Sequence, residues 1–127
     1  LGLPYRLLQC CTGDLGMKNE DMIDVECWMP GRGEAGTDGA PTGEYGETHS
    51  ASRLGDYQCR RLNLRYKDAD GKTHFAWALN NTVIASPRVL IPLLEIHQNA
   101  DGTVNIPEPL RPHLGGRTKI EPPTKRA

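Results

Sequence analysis

The chain has 127 residues, enough for one domain or part of one. At 37% hydrophobic and 24% charged it has a globular composition, which excludes disorder as its main state. A net charge of -1 excludes an overall basic footprint for nucleic acid, and no apolar run reaches the roughly 20 residues that cross a membrane as a helix, so no membrane partner is expected.

Leu3 to Cys11 is apolar, with Pro4 near its start, and is predicted as a strand. Thr12 to Gly16 makes a tight turn. Met22 to Met29 alternates, with Ile23, Val25, Cys27 and Met29 on one face and Met22, Asp24, Glu26 and Trp28 on the other. Gly31 to Gly43 is Gly-rich and has no apolar period, which predicts a flexible surface loop over 31–43. Tyr45 to Ser50 is the next strand, and Arg53 to Arg61 a short helix or turn. Leu62 to Lys67 and Thr73 to Asn80 read as two strands of a hairpin turned at Asp70-Gly71.

Ser86 to Gln98 is predicted as a helix, with Ser86 as N-cap and Pro87 at the first position. Leu90, Leu93, Leu94 and His97 share one face, and Pro92 is expected to kink the helix. Thr103 to Ile106 is a short strand, and a tail is expected over 115–127 after a domain of 1–114. Trp28 and Trp77 are expected in the core or on a sheet face. The pattern is α+β: an antiparallel β-sheet with flanking helices, and no βαβ repeat.

The cysteines Cys10, Cys11, Cys27 and Cys59 form no CxxC pair, and His49, His74, His97 and His113 have no metal-ligand spacing. Reduced, buried thiols are expected, and with them an intracellular compartment. One placement points to a ligand. Arg88 falls at a helix start, where the dipole favours anions, so a cation there suits a shared anionic ligand. Asn80 and Thr82 lie just upstream and can add polar groups to the same pocket.

The order of motifs resembles the late catalytic domain of the seryl-tRNA synthetases. The resemblance rests on Leu3-Pro4-Tyr5-Arg6, Cys11-Thr12-Gly13-Asp14-Leu15-Gly16, Asp24-Val25-Glu26-Cys27-Trp28-Met29-Pro30 and Gly46-Glu47-Thr48-His49-Ser50-Ala51-Ser52. It continues through Tyr57 to Tyr66, Leu79 to Arg88, Ala100-Asp101-Gly102 and Ile106 to Pro112. It implies part of a class II aminoacyl-tRNA synthetase core. Such an enzyme activates L-serine with ATP to seryl-adenylate and transfers it to tRNA-Ser, working as a homodimer. The resemblance implies that Arg88 holds the terminal phosphate of ATP, that Glu47 and Ser50 hold Mg²⁺ on the ATP phosphates, and that Asn80 and Thr82 line the serine pocket.

The chain departs from the family at several points. Gly46 stands where an Arg is frequent, Arg53 where Asn is common, Pro87 where Gly is frequent, and Pro92 where a small helix former is usual. The 31–43 loop is longer than usual. Pro87 and the Tyr45-Gly46-Glu47 run imply a mitochondrial form, with the cytoplasm as the alternative. No segment resembles the first or second class motif, or the helical hairpin that reads tRNA. A C-terminal segment of the catalytic domain, inactive when isolated, is therefore expected. The alternative is a free-standing paralogue that binds nucleotide, protein or RNA without aminoacylation.

Overall fold

The computed structural model describes residues 1–123. Strands β1 (Tyr5–Gln9), β2 (Asp21–Met29) and β3 (Glu44–Arg53) precede helix α1 (Tyr57–Leu62). Short strands β4 (Arg65–Lys67), β5 (Thr73–Phe75) and β6 (Leu79–Asn81) follow, then helix α2 (Ser86–His97) and β7 (Val104–Asn105). A 3₁₀ helix over Glu108–Leu114 and strand β8 (Lys119–Ile120) complete the order. One sheet has the order β1-β2-β3-β6; β4-β5 and β7-β8 form separate two-stranded ribbons. This is the α+β class expected, with antiparallel pairing.

The predicted strand from Thr73 to Asn80 is split. Its first part pairs with β4, Arg65 opposite Phe75, and its last part pairs with β3, Ser52 opposite Asn80. The break between them leaves Trp77 70% exposed, against the expectation of a core or sheet-face residue. The predicted hairpin turn does form. Gly71 takes φ 80, open to glycine at no steric cost, and Asp68 Oδ1 accepts from the N–H groups of Asp70 and Lys72 at 3.0 and 2.8 Å.

The chain divides into two compact units. One comprises Arg6–Glu26 and Glu47–Ala85, and its buried residues include Cys10, Asp24, Thr48, Ser52, Leu54 and Cys59. Asp24 lies on the face of β2 predicted to be polar, yet it is 9% exposed, while Ile23 of the predicted apolar face is 38% exposed. Burial of this carboxylate is offset in part by the Cys10 thiol, which donates to its Oδ2 at 3.4 Å. Helix α1 ends on Asn63, whose φ of 53 lets its N–H bond back to Arg60 O.

The other unit comprises Leu1–Tyr5, Cys27–Gly46 and the chain from Ser86 on. Cys27, Met29, Val89, Pro92 and Ile106 are buried there. Helix α2 is turned differently from the expectation: Leu90 and Leu94 are 48% and 43% exposed, and Val89 and Pro92 are the buried positions. Pro92 presents an apolar ring and no N–H, so placing it inward strands no donor. The helix continues through it as one element.

The 31–43 segment carries a regular hydrogen-bond pattern. Gly43 N–H donates to Arg32 O, Thr42 N–H to Glu34 O and Gly36 N–H to Ala40 O. Trp28 packs edge-on against Tyr45, ring centres 5.1 Å apart. The predicted tail from residue 115 enters a ribbon, Val104 opposite Ile120; its last part, 124–127, lies outside the described residues.

Candidate functional site

Ser50, Asn80 and Thr82 come together through strand pairing. Ser52 faces Asn80 and Ala51 faces Asn81 across the antiparallel β3–β6 pair. The same register carries the Thr82 N–H to the carbonyl of Ser50 at 3.2 Å, so Thr82 sits opposite Ser50 just beyond the last residue of β6. β6 is the last strand of the sheet order, and Asn80 and Thr82 are exposed.

Glu47 also lies on β3, three residues before Ser50, and both are half-buried. Along a regular strand, residues three apart project to opposite faces. Joint ligation of one cation by this pair therefore needs a local departure from the pleat. Between them, the fully buried Thr48 turns its hydroxyl onto Val25 O at 3.1 Å and lies 2.8 Å from His49 Nδ1. That contact engages His49 locally, in keeping with a structural role.

Arg88 belongs to the other unit. It is exposed in the first turn of α2, two residues after Ser86, and that turn contains no acid. The N-terminal amides and the guanidinium thus offer positive potential to one anion, as the sequence suggests. The structure gathers Ser50, Asn80 and Thr82 with Glu47 in one unit and sets Arg88 on a helix of the other.

Among the described residues no group of three or more His, Cys, Asp or Glu could hold a metal ion. A cavity of about 640 Å³, lined by Ile106, Leu114, Arg117, Lys119, Ile120 and Glu121, contains none of the predicted site residues. The pairing of β3 with β6 is what sequence reasoning missed: nothing local to either segment announces a partner about 30 residues away.

No protein-family model matches the chain. It is 52% identical over 125 residues to the serine–tRNA ligase of Deinococcus radiodurans, covering 98% of this chain and 27% of that protein. The seryl-tRNA synthetase from Pyrococcus horikoshii complexed with ATP superposes with a TM-score of 0.80 at 41% identity, over 96% of this chain and 25% of that one. The cytoplasmic serine–tRNA ligase from Naegleria fowleri in complex with AMP gives 0.80 at 36% identity, over 95% and 26%. The chain spans about a quarter of the length of these relatives.

Proposed function

We infer that this chain, homologous over nearly its whole length to about a quarter of a serine–tRNA ligase, acts as a segment of such an enzyme. The reaction it would serve is activation of L-serine by ATP, followed by transfer of the seryl group to tRNA-Ser. The single observation that carries this reading is sequence identity of 52% across 98% of the chain, in a segment that includes Glu47, Ser50, Asn80, Thr82 and Arg88.

The chemistry asks for positioning rather than a protein nucleophile. A serine carboxylate oxygen bonds to the α-phosphorus, the bond to the β-phosphate oxygen breaks, and pyrophosphate leaves with the electron pair. In this reading Arg88 binds the terminal phosphate through its planar fork of donors and orients the leaving group. Asn80 and Thr82 hold the serine hydroxyl through hydrogen bonds that alanine could not return, which gives discrimination.

The residues fit Mg²⁺ in a limited way. Glu47 supplies one half-buried carboxylate and Ser50 a hydroxyl, and Mg²⁺ commonly takes few protein ligands and fills its shell with water and phosphate oxygens. When bound it would neutralise charge on the phosphates. The homodimer, class II membership and the mitochondrial compartment belong to the same proposal; the last rests on Pro87 and the Tyr45-Gly46-Glu47 run.

A graft tests the reading. The matched quarter of the Deinococcus radiodurans enzyme is replaced by this chain, and serine-dependent ATP–pyrophosphate exchange is measured. Exchange within about tenfold of the parent is expected, and isolated chain alone should give none. A folded graft without exchange would sink the proposal.

A further inference from the structure

A cationic face forms where α1 meets the β4–β5 ribbon, within the unit that carries β3 and β6. Between residues 60 and 75 stand Arg60, Arg61, Arg65, Lys67 and Lys72, against Asp68 and Asp70. Arg65 pairs opposite Phe75 and Lys67 opposite Thr73, so both cations share one face of the ribbon with the Phe75 ring. Arg60 reaches the same ring from α1. Its guanidinium carbon lies 4.7 Å from the ring centre, and that of Arg65 lies 4.4 Å from it. Arg65 is held further by Asn63, whose Oδ1 accepts from its Nε–H at 2.9 Å. Arg61 stacks on Tyr57, 3.4 Å from that ring centre.

The neighbouring acids leave this face positive. Asp68 serves its own turn and His74, whose Nε2 lies 2.7 Å from Oδ2. His74 pairs opposite Tyr66, on the other face of the ribbon. Asp56 is taken by Arg60 at 2.6 Å. Among the described residues Arg61, Arg65 and Lys67 have no carboxylate within ion-pair distance. The negative end of α1 accounts for Arg60 and Arg61 in its last turn. It does not account for Arg65 and Lys67, which lie on the ribbon, about 7 Å apart along β4. Arg60 and Arg61 also line a cavity of about 320 Å³ with Lys18 and Tyr57, over the buried Leu54. Trp77, two residues beyond β5, is largely exposed.

We propose that this face binds single-stranded RNA, with phosphates on Arg61, Arg65 and Lys67 and a base stacked on Trp77. An RNA strand offers a row of anions and a π-face on every nucleotide, and the chain presents a row of cations beside an exposed indole. Rings and hydrogen bonds already hold Arg61 and Arg65, so less side-chain freedom is lost when a phosphate binds. An acidic peptide would match the charge but brings no base to Trp77. This deepens the ligase reading and rests on it for the identity of the strand, which is then part of tRNA-Ser.

The test uses the grafted enzyme and compares tRNA charging with pyrophosphate exchange, which needs no tRNA. Arg65→Gln with Lys67→Gln removes two charges at similar length. It should raise the KM for tRNA-Ser about tenfold, leave exchange within about twofold, and flatten the salt dependence of log KM by about 1.4. Arg65→Lys with Lys67→Arg keeps both charges and should stay within about threefold of the unsubstituted graft. Trp77→Leu should raise the KM for tRNA about fivefold with the salt dependence unchanged. An unchanged KM for tRNA in the folded double-Gln graft overturns the proposal. An equal loss of exchange and charging also overturns it, since the face then packs against the rest of the enzyme. An unchanged KM in the Trp77→Leu graft overturns the stacking, and with it the assignment to single-stranded RNA. An unsubstituted graft that gives no exchange counts against the ligase reading instead. In that case, or if the graft charges no tRNA, binding of a labelled single-stranded oligoribonucleotide to the 127-residue chain and to its double-Gln variant decides the face. Tighter, salt-sensitive binding by the unsubstituted chain is expected, and equal binding overturns the proposal.

Discussion

The backbone N–H of Thr82 donates to the carbonyl of Ser50 at 3.2 Å, tying the segment after β6 to the middle of β3. Two groups of Thr82 can thus be separated by substitution. Thr82→Ala keeps the N–H and removes the hydroxyl; in the graft it should lower kcat/KM for serine roughly tenfold and leave the melting temperature within a degree or so. Thr82→Pro removes both and should lower stability as well. Equal serine kinetics for Thr82→Ala and the unsubstituted graft would remove Thr82 from the serine pocket.

Arg88 carries the clearest expectation for ATP. Arg88→Ala should reduce kcat/KM for ATP by about two orders of magnitude, because a bidentate, charge-assisted contact between a guanidinium and a phosphate is stronger than a neutral hydrogen bond. Arg88→Lys keeps charge but loses the bidentate geometry, so it should recover only part of the activity. Serine KM should move little in either variant. Lysine restoring full activity would show that charge alone is sufficient and that the fork is not used.

What the sequence made legible is local. Ser86 to His97 could be read as a helix because Ser-Pro at its start and apolar spacing along it are properties of neighbouring residues. Asp70-Gly71 announced its turn for the same reason. The face that α2 buries was not legible, since Val89 and Pro92 against Leu90 and Leu94 is settled by what packs on the helix. Likewise Asp24 reads as a solvent-side acid until the Cys10 thiol, far off in sequence, is seen beside it. The site shows the same division. Arg88 stood out from its helix start alone, but the meeting of Ser50 with Thr82 gave no signal, because it depends on the pairing of β3 with β6.

Gly43 and Gly39 separate steric crowding from backbone strain. Both have positive φ, 79 and 78, which disfavours any L side chain. A Cβ at Gly43 would overlap the Trp28 ring, whereas one at Gly39 meets nothing within 4 Å. Gly39→Ala should therefore cost about 1 kcal/mol from the backbone alone. Gly43→Ala should cost about 3 kcal/mol, because Trp28 must leave its edge-on contact with Tyr45. Urea midpoints of the two variants give the comparison, and equal losses would mean that Trp28 yields without resistance.

Cys10 offers a test by pH. The thiol is 7% exposed, and burial, then its hydrogen bond to Asp24, then the nearby Asp24 and Asp14 charges push it from an ordinary 9.0 up to about 11. The fold thus favours the protonated thiol. Its contribution to stability is fully present below pH 9 and is lost as pH rises through about 11. Reactivity follows the thiolate, so at pH 9 exposed Cys11 should alkylate at least tenfold faster than Cys10. Asp24→Asn removes the neighbouring charge at nearly constant shape and should bring the Cys10 value down, speeding its alkylation near pH 10. It also relieves a buried carboxylate whose Oδ1 has no hydrogen-bond partner. Mass-resolved labelling between pH 8 and about 11 follows both thiols at once. Cys10 reacting as fast as Cys11 at pH 9 would mean that the Cys10–Asp24 pair opens readily to solvent and does not hold the thiol protonated.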